Sequence, residues 1–354
     1  MPDPAFPGPP ARDPEAAPPS VRAAVPAPVP PDAPPPGSSS GALERLAATP
    51  VTYLLTAVNI GVFVWAEYFG GGTSNQSTLL DVGAVEPFHV WSGEYWRLVT
   101  CIFVHVGLVH LAVNTYMSLG WSPLLERAFG SWKFLLVYLL AGVGGSCSSV
   151  IVGFGNNPHT SAGASGALFG VVGATLALRR RQFPDLRTFL ADRGLRSIAL
   201  QIAILTVVGL TWLPLDNAAH LGGLVTGAAV GTLLTARAPR PGWLTLAAAF
   251  AVSLAAATRP WWSPDDGKDK DLVAGYASAY LTGNVGGKPD GVWHRNVARG
   301  TRIAEKGCAH RVAFACEVLA LYLDSQGEPS TRARAGALHQ RSCELEPPIC
   351  DQLH

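Results

Sequence analysis

The sequence predicts an all-α protein: a polytopic membrane helical bundle of seven spans, followed by a small extracytoplasmic α-helical hairpin domain. Three observations carry this. Charged residues make up 14% of the 354 positions and hydrophobic residues 48%, whereas ordinary soluble domains carry about 25% charged residues. Apolar runs of spanning length recur along the chain, separated by turn signals. The loops between them alternate between rich and poor in Arg and Lys, which a large soluble helical core would not produce. A net charge of +1, with no basic run interleaved with aromatics, excludes nucleic acid as an expected partner.

Residues 1–48 read as a disordered cytoplasmic tail rich in Pro and Ala. Such a segment cannot bury enough apolar surface to offset the entropy of ordering it. It lacks the basic-then-apolar pattern of a signal peptide, so the first span is expected to direct insertion. A spanning helix needs about 20 mostly apolar residues. Candidates within a membrane domain over 49–236 are 51–68, 98–120, 133–153, 164–181, 197–213 and 219–235. A further, Ala-rich span at 242–258 falls within 237–260. Turn signals separate them at Gly70-Gly71-Gly72, Ser122-Pro123, Asn156-Asn157-Pro158, Pro184-Asp185 and Pro239-Arg240-Pro241.

Arg179, Arg180, Arg181, Arg187, Arg193 and Arg196 follow the fourth run, Arg237 and Arg240 the sixth, and Arg127 and Lys133 the second. Segments 154–163 and 214–218 hold no basic residue other than His159. Basic loops stay cytoplasmic, so the N-terminus is expected inside the cell and residues 261–354 outside it. The Ala, Arg, Gly and Pro bias points to a GC-rich bacterial source, hence a multi-pass protein of the bacterial inner (plasma) membrane. Cys308, Cys316, Cys343 and Cys350 would then face a compartment where disulfides persist.

Polar groups inside a bilayer are costly and mark functional sites. Gly163-Ala164-Ser165-Gly166 enters the fourth span. Gly166, Gly170 and Gly173 follow on one face, free of side chains; the plain alternative is that Ser165 only caps the helix. Asn217-Ala218-Ala219-His220 enters the sixth span from the same side, with Gly223 and Gly227 on the face of His220. The plain alternative there is a packing histidine. His105, His110 and Asn114 share the second span, with His110 and Asn114 one turn apart. A metal site is a rival for these histidines, but there is no H-E-x-x-H motif and no carboxylate deep in a span. No metal and no cofactor is therefore expected. Trp96-Arg97 closes the outer loop 69–97, where an interfacial aromatic beside a headgroup-level Arg is common. Neutral His can take a Ser hydroxyl proton, and donors aimed at the oxyanion complete an acyl-transfer site. A proton-relaying transporter using the three histidines is one alternative. A catalytically silent membrane protein that binds client helices is another.

Taken together, W-R, H-x4-H-x3-N, G-x-S-G and A-H-x2-G-x3-G, in this order, resemble the rhomboid proteases over about residues 50–236. The resemblance implies a six-helix catalytic core with an additional helix after it. It implies a Ser–His dyad that cleaves single-span transmembrane proteins near the outer face of the lipid bilayer. Ser165 matches the nucleophile and His220 the base. His110, Asn114 and the Ser165 backbone N–H match oxyanion donors, with His105, Phe169, Gly163 and Gly166 in support. Phe169 matches a position that packs on the catalytic imidazole. Trp96, Arg97, Gly223 and Gly227 match structural positions.

Beyond Gly267–Asp271, which reads as a linker, Val312 to Leu323 and Ala333 to Cys343 read as partner helices. With the cysteine spacings, this region resembles cysteine-rich Sel1-type helical repeats. That resemblance implies Cys308–Cys316 and Cys343–Cys350 pairs, one of three possible connectivities, and protein binding through 261–354.

Overall fold

The computed structural model describes residues 39–153, 159–211, 215–235, 240–258, 269–283 and 295–351. Most of the expected tail, residues 1–38, lies outside them. The described chain is helical: α1 (Ser39–Ala48), α2 (Pro50–Tyr68), α3 (Gln76–Val82), α4 (Pro87–Trp91), α5 (Arg97–Thr100), α6 (Gly107–Phe129), α7 (Ser131–Gly153), α8 (Ser165–Arg180), α9 (Leu186–Leu190), α10 (Arg193–Thr211), α11 (Asn217–Thr235) and α12 (Arg240–Thr258). They are followed by α13 (Asp269–Thr282), α14 (Val297–Ala309), α15 (Ala313–Ser325), α16 (Pro329–Leu345) and α17 (Pro348–Asp351). By length and composition, α2, α7, α11 and α12 can each cross a membrane among the described residues, and α5 with α6 adds a fifth if counted as one broken span.

α7 is the centre of the bundle. Phe134, Val137, Tyr138, Ala141, Cys147 and Val150 are all buried, and α8, α11, α6 and α12 pack around it. α12 is peripheral, with Leu244 and Val252 exposed, as suits a helix facing lipid. Away from the Ser165 end, Glu126 of α6 ties three helices together. It accepts the backbone N–H of Val51 at 3.0 Å and of Thr52 at 2.8 Å, and the Ser131 hydroxyl at 2.6 Å. Pro50 opens α2 at a position where no N–H is needed, and Glu126 satisfies the N–H groups that follow.

The structure corrects five expectations. Residues 98–120 are not one span: Arg97–Phe103 and α6 meet at 89°. Val104 adopts extended backbone at φ −87° and ψ 140°, and Gly107 follows at φ 69°, a conformation glycine adopts readily. Ser122-Pro123 is no break, since Pro123 lies inside α6. The outer loop 69–97 contains α3 and α4, capped by the side chains of Asn75 and Glu86. The linker read at Gly267–Asp271 ends early, because α13 starts at Asp269. The C-terminal region is larger than one hairpin: α13 to α16 pack as successive neighbours. Disulfides Cys308–Cys316 and Cys343–Cys350 join α14 to α15 and α16 to α17.

Candidate active site

The segment before α8 is held at several points. Val85 and Ser161 exchange backbone hydrogen bonds of 2.9 and 2.8 Å, and the Gly163 N–H donates to Cys101 O at 2.9 Å. Gly163 sits at φ 131°, which strains any residue with a Cβ. Its neighbours leave no room for one either: a Cβ there would lie 2.7 Å from the His110 ring. Ser165 is the first residue of α8, where backbone N–H groups have no intrahelical partner. Its hydroxyl is not spent on capping. Ser165 Oγ lies 2.9 Å from His220 Nε2.

Glycines set that distance. A Cβ on Gly223 would overlap the Gly166 carbonyl oxygen, and one on Gly227 the Gly170 carbonyl oxygen. α8 and α11 are therefore in backbone contact along the face that carries Ser165 and His220. α7 completes the contact from a third side, with Gly145 against the Ala219 carbonyl. The Phe169 ring, one turn after Ser165, stacks on His220 with centroids 4.3 Å apart. His220 is 6% exposed, and its Nδ1 has no hydrogen-bond partner among the described residues.

Asp216 is the residue that pattern reading missed. It accepts the Ala219 N–H at 2.9 Å, and its backbone carbonyl accepts the His220 N–H at 3.1 Å. His159 lies 3.5 Å from its carboxylate. Burial works against its charge, but those hydrogen bonds outweigh it and hold the carboxyl well below the usual range. Asp216 thus links the segment before Ser165 to the start of α11. The only sequence signal was an acidic residue at a helix start.

His105 lies in the break between α5 and α6, not in the second span. It is buried, and its Nε2 accepts the Ala164 N–H at 3.4 Å. His110 and Asn114 are both on α6. The Val106 N–H reaches His110 Nδ1 at 3.5 Å, leaving Nε2 toward Gly163. Asn114 Nδ2 donates to the His110 carbonyl at 3.0 Å. The structure therefore brings His110, Asn114, Gly163, Ser165, Phe169 and His220 to one place.

Trp96 and Arg97 stand apart from that cluster. Arg97 is fully buried within the protein. It donates to the carbonyls of Leu80 and Ala84, at 2.5 and 2.7 Å, and to Glu94 at 2.6 Å. Its guanidinium lies 4.5 Å from the centroid of the half-exposed Trp96 ring. The pair knits the segment 76–97 together.

The chain is similar in sequence to known proteins. Residues 92–237 match the sequence profile described as the rhomboid domain. The chain is 39% identical over 182 residues to the rhomboid protease GluP of Bacillus subtilis (strain 168), covering 50% of this chain and 33% of that protein. It is 37% identical over 171 residues to the mitochondrial RHOMBOID-like protein 6 of Arabidopsis thaliana, covering 48% of this chain and 53% of that one. It is also 36% identical over 171 residues to RHOMBOID-like protein 5 of the same plant, covering 47% and 52%. The chain thus spans a third to about half of the length of these relatives. The matched profile and these relatives support the rhomboid family for this chain, through residues 92–237.

Proposed function

We propose that residues 49–236 form an intramembrane serine endopeptidase that cleaves transmembrane-anchored proteins near the outer face of the membrane. The observation that carries this reading is the 2.9 Å contact between Ser165 Oγ and His220 Nε2, held by a stacked ring and a glycine-lined helix contact. Two bare hydrogen-bonding side chains brought together at helix ends, without a structural partner, suit a nucleophile and its base.

In the reaction, His220 Nε2 takes the Ser165 hydroxyl proton as Oγ bonds to the scissile carbonyl carbon. The carbonyl oxygen becomes an oxyanion, stabilised by the Ser165 N–H, the His110 Nε2–H and the free Asn114 Nδ2–H. His220 returns the proton to the leaving amine as the C–N bond breaks. Water then attacks the acyl-enzyme, with His220 again as base. A substrate helix must unwind to expose its peptide bond, so small residues at the scissile bond and Gly or Pro nearby favour cleavage.

The wider reading follows the charge pattern. The protein spans a bacterial inner membrane seven times, with its N-terminus cytoplasmic and residues 261–354 outside as a Sel1-like helical array. Recruiting protein substrates is one role for that array; the contacts described below favour another.

The test is cleavage of a single-span reporter by the wild type and by Ser165→Ala. Cleavage is expected only from the wild type. Equal cleavage by both would sink the assignment. Client binding without cleavage by either would favour a silent binding protein.

A further inference from the structure

The C-terminal helices do not hang free of the membrane domain. α13 and α14 sit on the outer segment 76–97, and the contact is polar and buried. Glu94, 4% exposed, lies on that segment. One carboxylate oxygen takes Arg97 of the same segment at 2.6 Å. The other takes Arg299 and Arg302 of α14, each at 3.0 Å. Arg299 also pairs with Asp81 at 2.8 Å.

A second buried group is divided in the same way. The fully buried His89 places Nδ1 2.7 Å from Glu86 and Nε2 2.7 Å from the Tyr280 hydroxyl of α13. A third contact reaches toward the site. Gln76 Nε2 donates to Thr160 Oγ1 at 2.8 Å and to the Tyr276 hydroxyl of α13 at 3.3 Å. Thr160 adjoins Ser161, which pairs with Val85 in the segment leading to Ser165.

A recruiting module on a tether would leave the outer segment satisfied by its own groups. Here the second oxygen of Glu94 and the second nitrogen of His89 are completed by C-terminal residues. A buried charge or polar group that loses its partner destabilises its surroundings strongly. We infer that the C-terminal helical domain is an intrachain clamp: Arg299 and Tyr280 complete the buried polar groups of the outer segment and fix the loop against which the chain before Ser165 is held. Its effect on cleavage rests on the protease reading; its effect on loop order does not. The clamp acts on all substrates alike.

The experiment uses the full chain in lipid nanodiscs, as wild type and as Arg299→Met. Hydrogen exchange is followed over 76–97, with fluorophosphonate labelling of Ser165 and cleavage of two unrelated single-span substrates. Arg299→Met is expected to speed exchange over 84–97 at least about tenfold, and to slow labelling and both cleavages by a common factor. If Arg299→Met fails to fold, Tyr280→Phe, which removes only the hydroxyl shared by His89 and Arg299, takes its place. Unchanged exchange over 84–97 overturns the clamp. Loss of one substrate with labelling and the other substrate unchanged also overturns it, in favour of recruitment. A wild type that neither labels nor cleaves ends the protease reading, while the exchange result still judges the clamp.

Discussion

The Phe169 ring lies parallel to the His220 imidazole, with planes 5° apart and centroids 4.3 Å apart. This stack aims Nε2 at Ser165, while Nδ1 has no hydrogen-bond partner among the described residues. The ring therefore takes the orienting role that a third polar residue would fill. Aromatic pairs contribute about 0.5–1.5 kcal/mol beyond their buried area. Phe169→Ala is expected to lower kcat about 2- to 10-fold with KM little changed, and Phe169→Tyr to restore it. A fall in substrate affinity alone would show that Phe169 lines the substrate path instead.

The glycine contact between α8 and α11 sets the Ser165–His220 distance. Any side chain at Gly223 or Gly227 must push the helices apart. Overpacking costs about 1–3 kcal/mol. Gly223→Ala and Gly227→Ala are expected to lower thermal stability and to slow Ser165 labelling together. Gly61→Ala, where a Cβ meets nothing within 4 Å, serves as the control and leaves both unchanged.

Asp216 holds the start of α11 to the segment before Ser165. Removing its carboxylate leaves the Ala219 N–H and His159 without their acceptor, and a buried donor that loses its partner costs about 1–3 kcal/mol. Asp216→Ala is expected to slow labelling at least about tenfold, with Asp216→Asn intermediate because the amide oxygen still accepts from Ala219. Wild-type labelling by Asp216→Ala would show that the helix start is fixed by packing alone.

Much of this architecture was legible because its signals are local. Apolar runs of spanning length report membrane helices wherever they occur, and Gly166, Gly170, Gly223 and Gly227 report close contact through their spacing alone. Ser165 and His220 stood out because polar residues are rare in apolar runs, and their side chains lie 2.9 Å apart. The break at Val104–Val106 was not, since Cys101 to Val109 is apolar apart from His105 and Gly107 and hides a change from helix to extended chain. α13 and α14 were missed for a different reason. Their composition is mixed, and the groups they satisfy lie far away in sequence: Arg299 meets Glu94 at a separation of 205 residues. The role of Glu126 is likewise non-local, since Val51 and Thr52 donate to it from more than 70 residues away.

His339 makes the C-terminal helices sensitive to pH. Burial works against its charge, but hydrogen bonds to Asp324 and Glu317 outweigh that and hold its pKa above the usual histidine range. Its Nδ1 lies 3.0 Å from Glu317 and its Nε2 2.9 Å from Asp324, joining α15 to α16. A pKa raised on folding contributes fully below the unfolded value of about 6.5 and fades as pH rises through the folded value. Hydrogen exchange over 313–345 is expected to be slower at pH 6 than at pH 8 after correction for intrinsic rates. His339→Gln should remove that difference; an unchanged pH slope in the variant would assign it elsewhere.

The central claim is that Ser165 is a nucleophile activated by His220. Covalent labelling by a fluorophosphonate, located by peptide mass, tests it most directly. The wild type is expected to carry the adduct on Ser165, and His220→Ala to label at least about a hundredfold more slowly. No adduct on the wild type, or equal labelling of the His220→Ala variant, would contradict the claim.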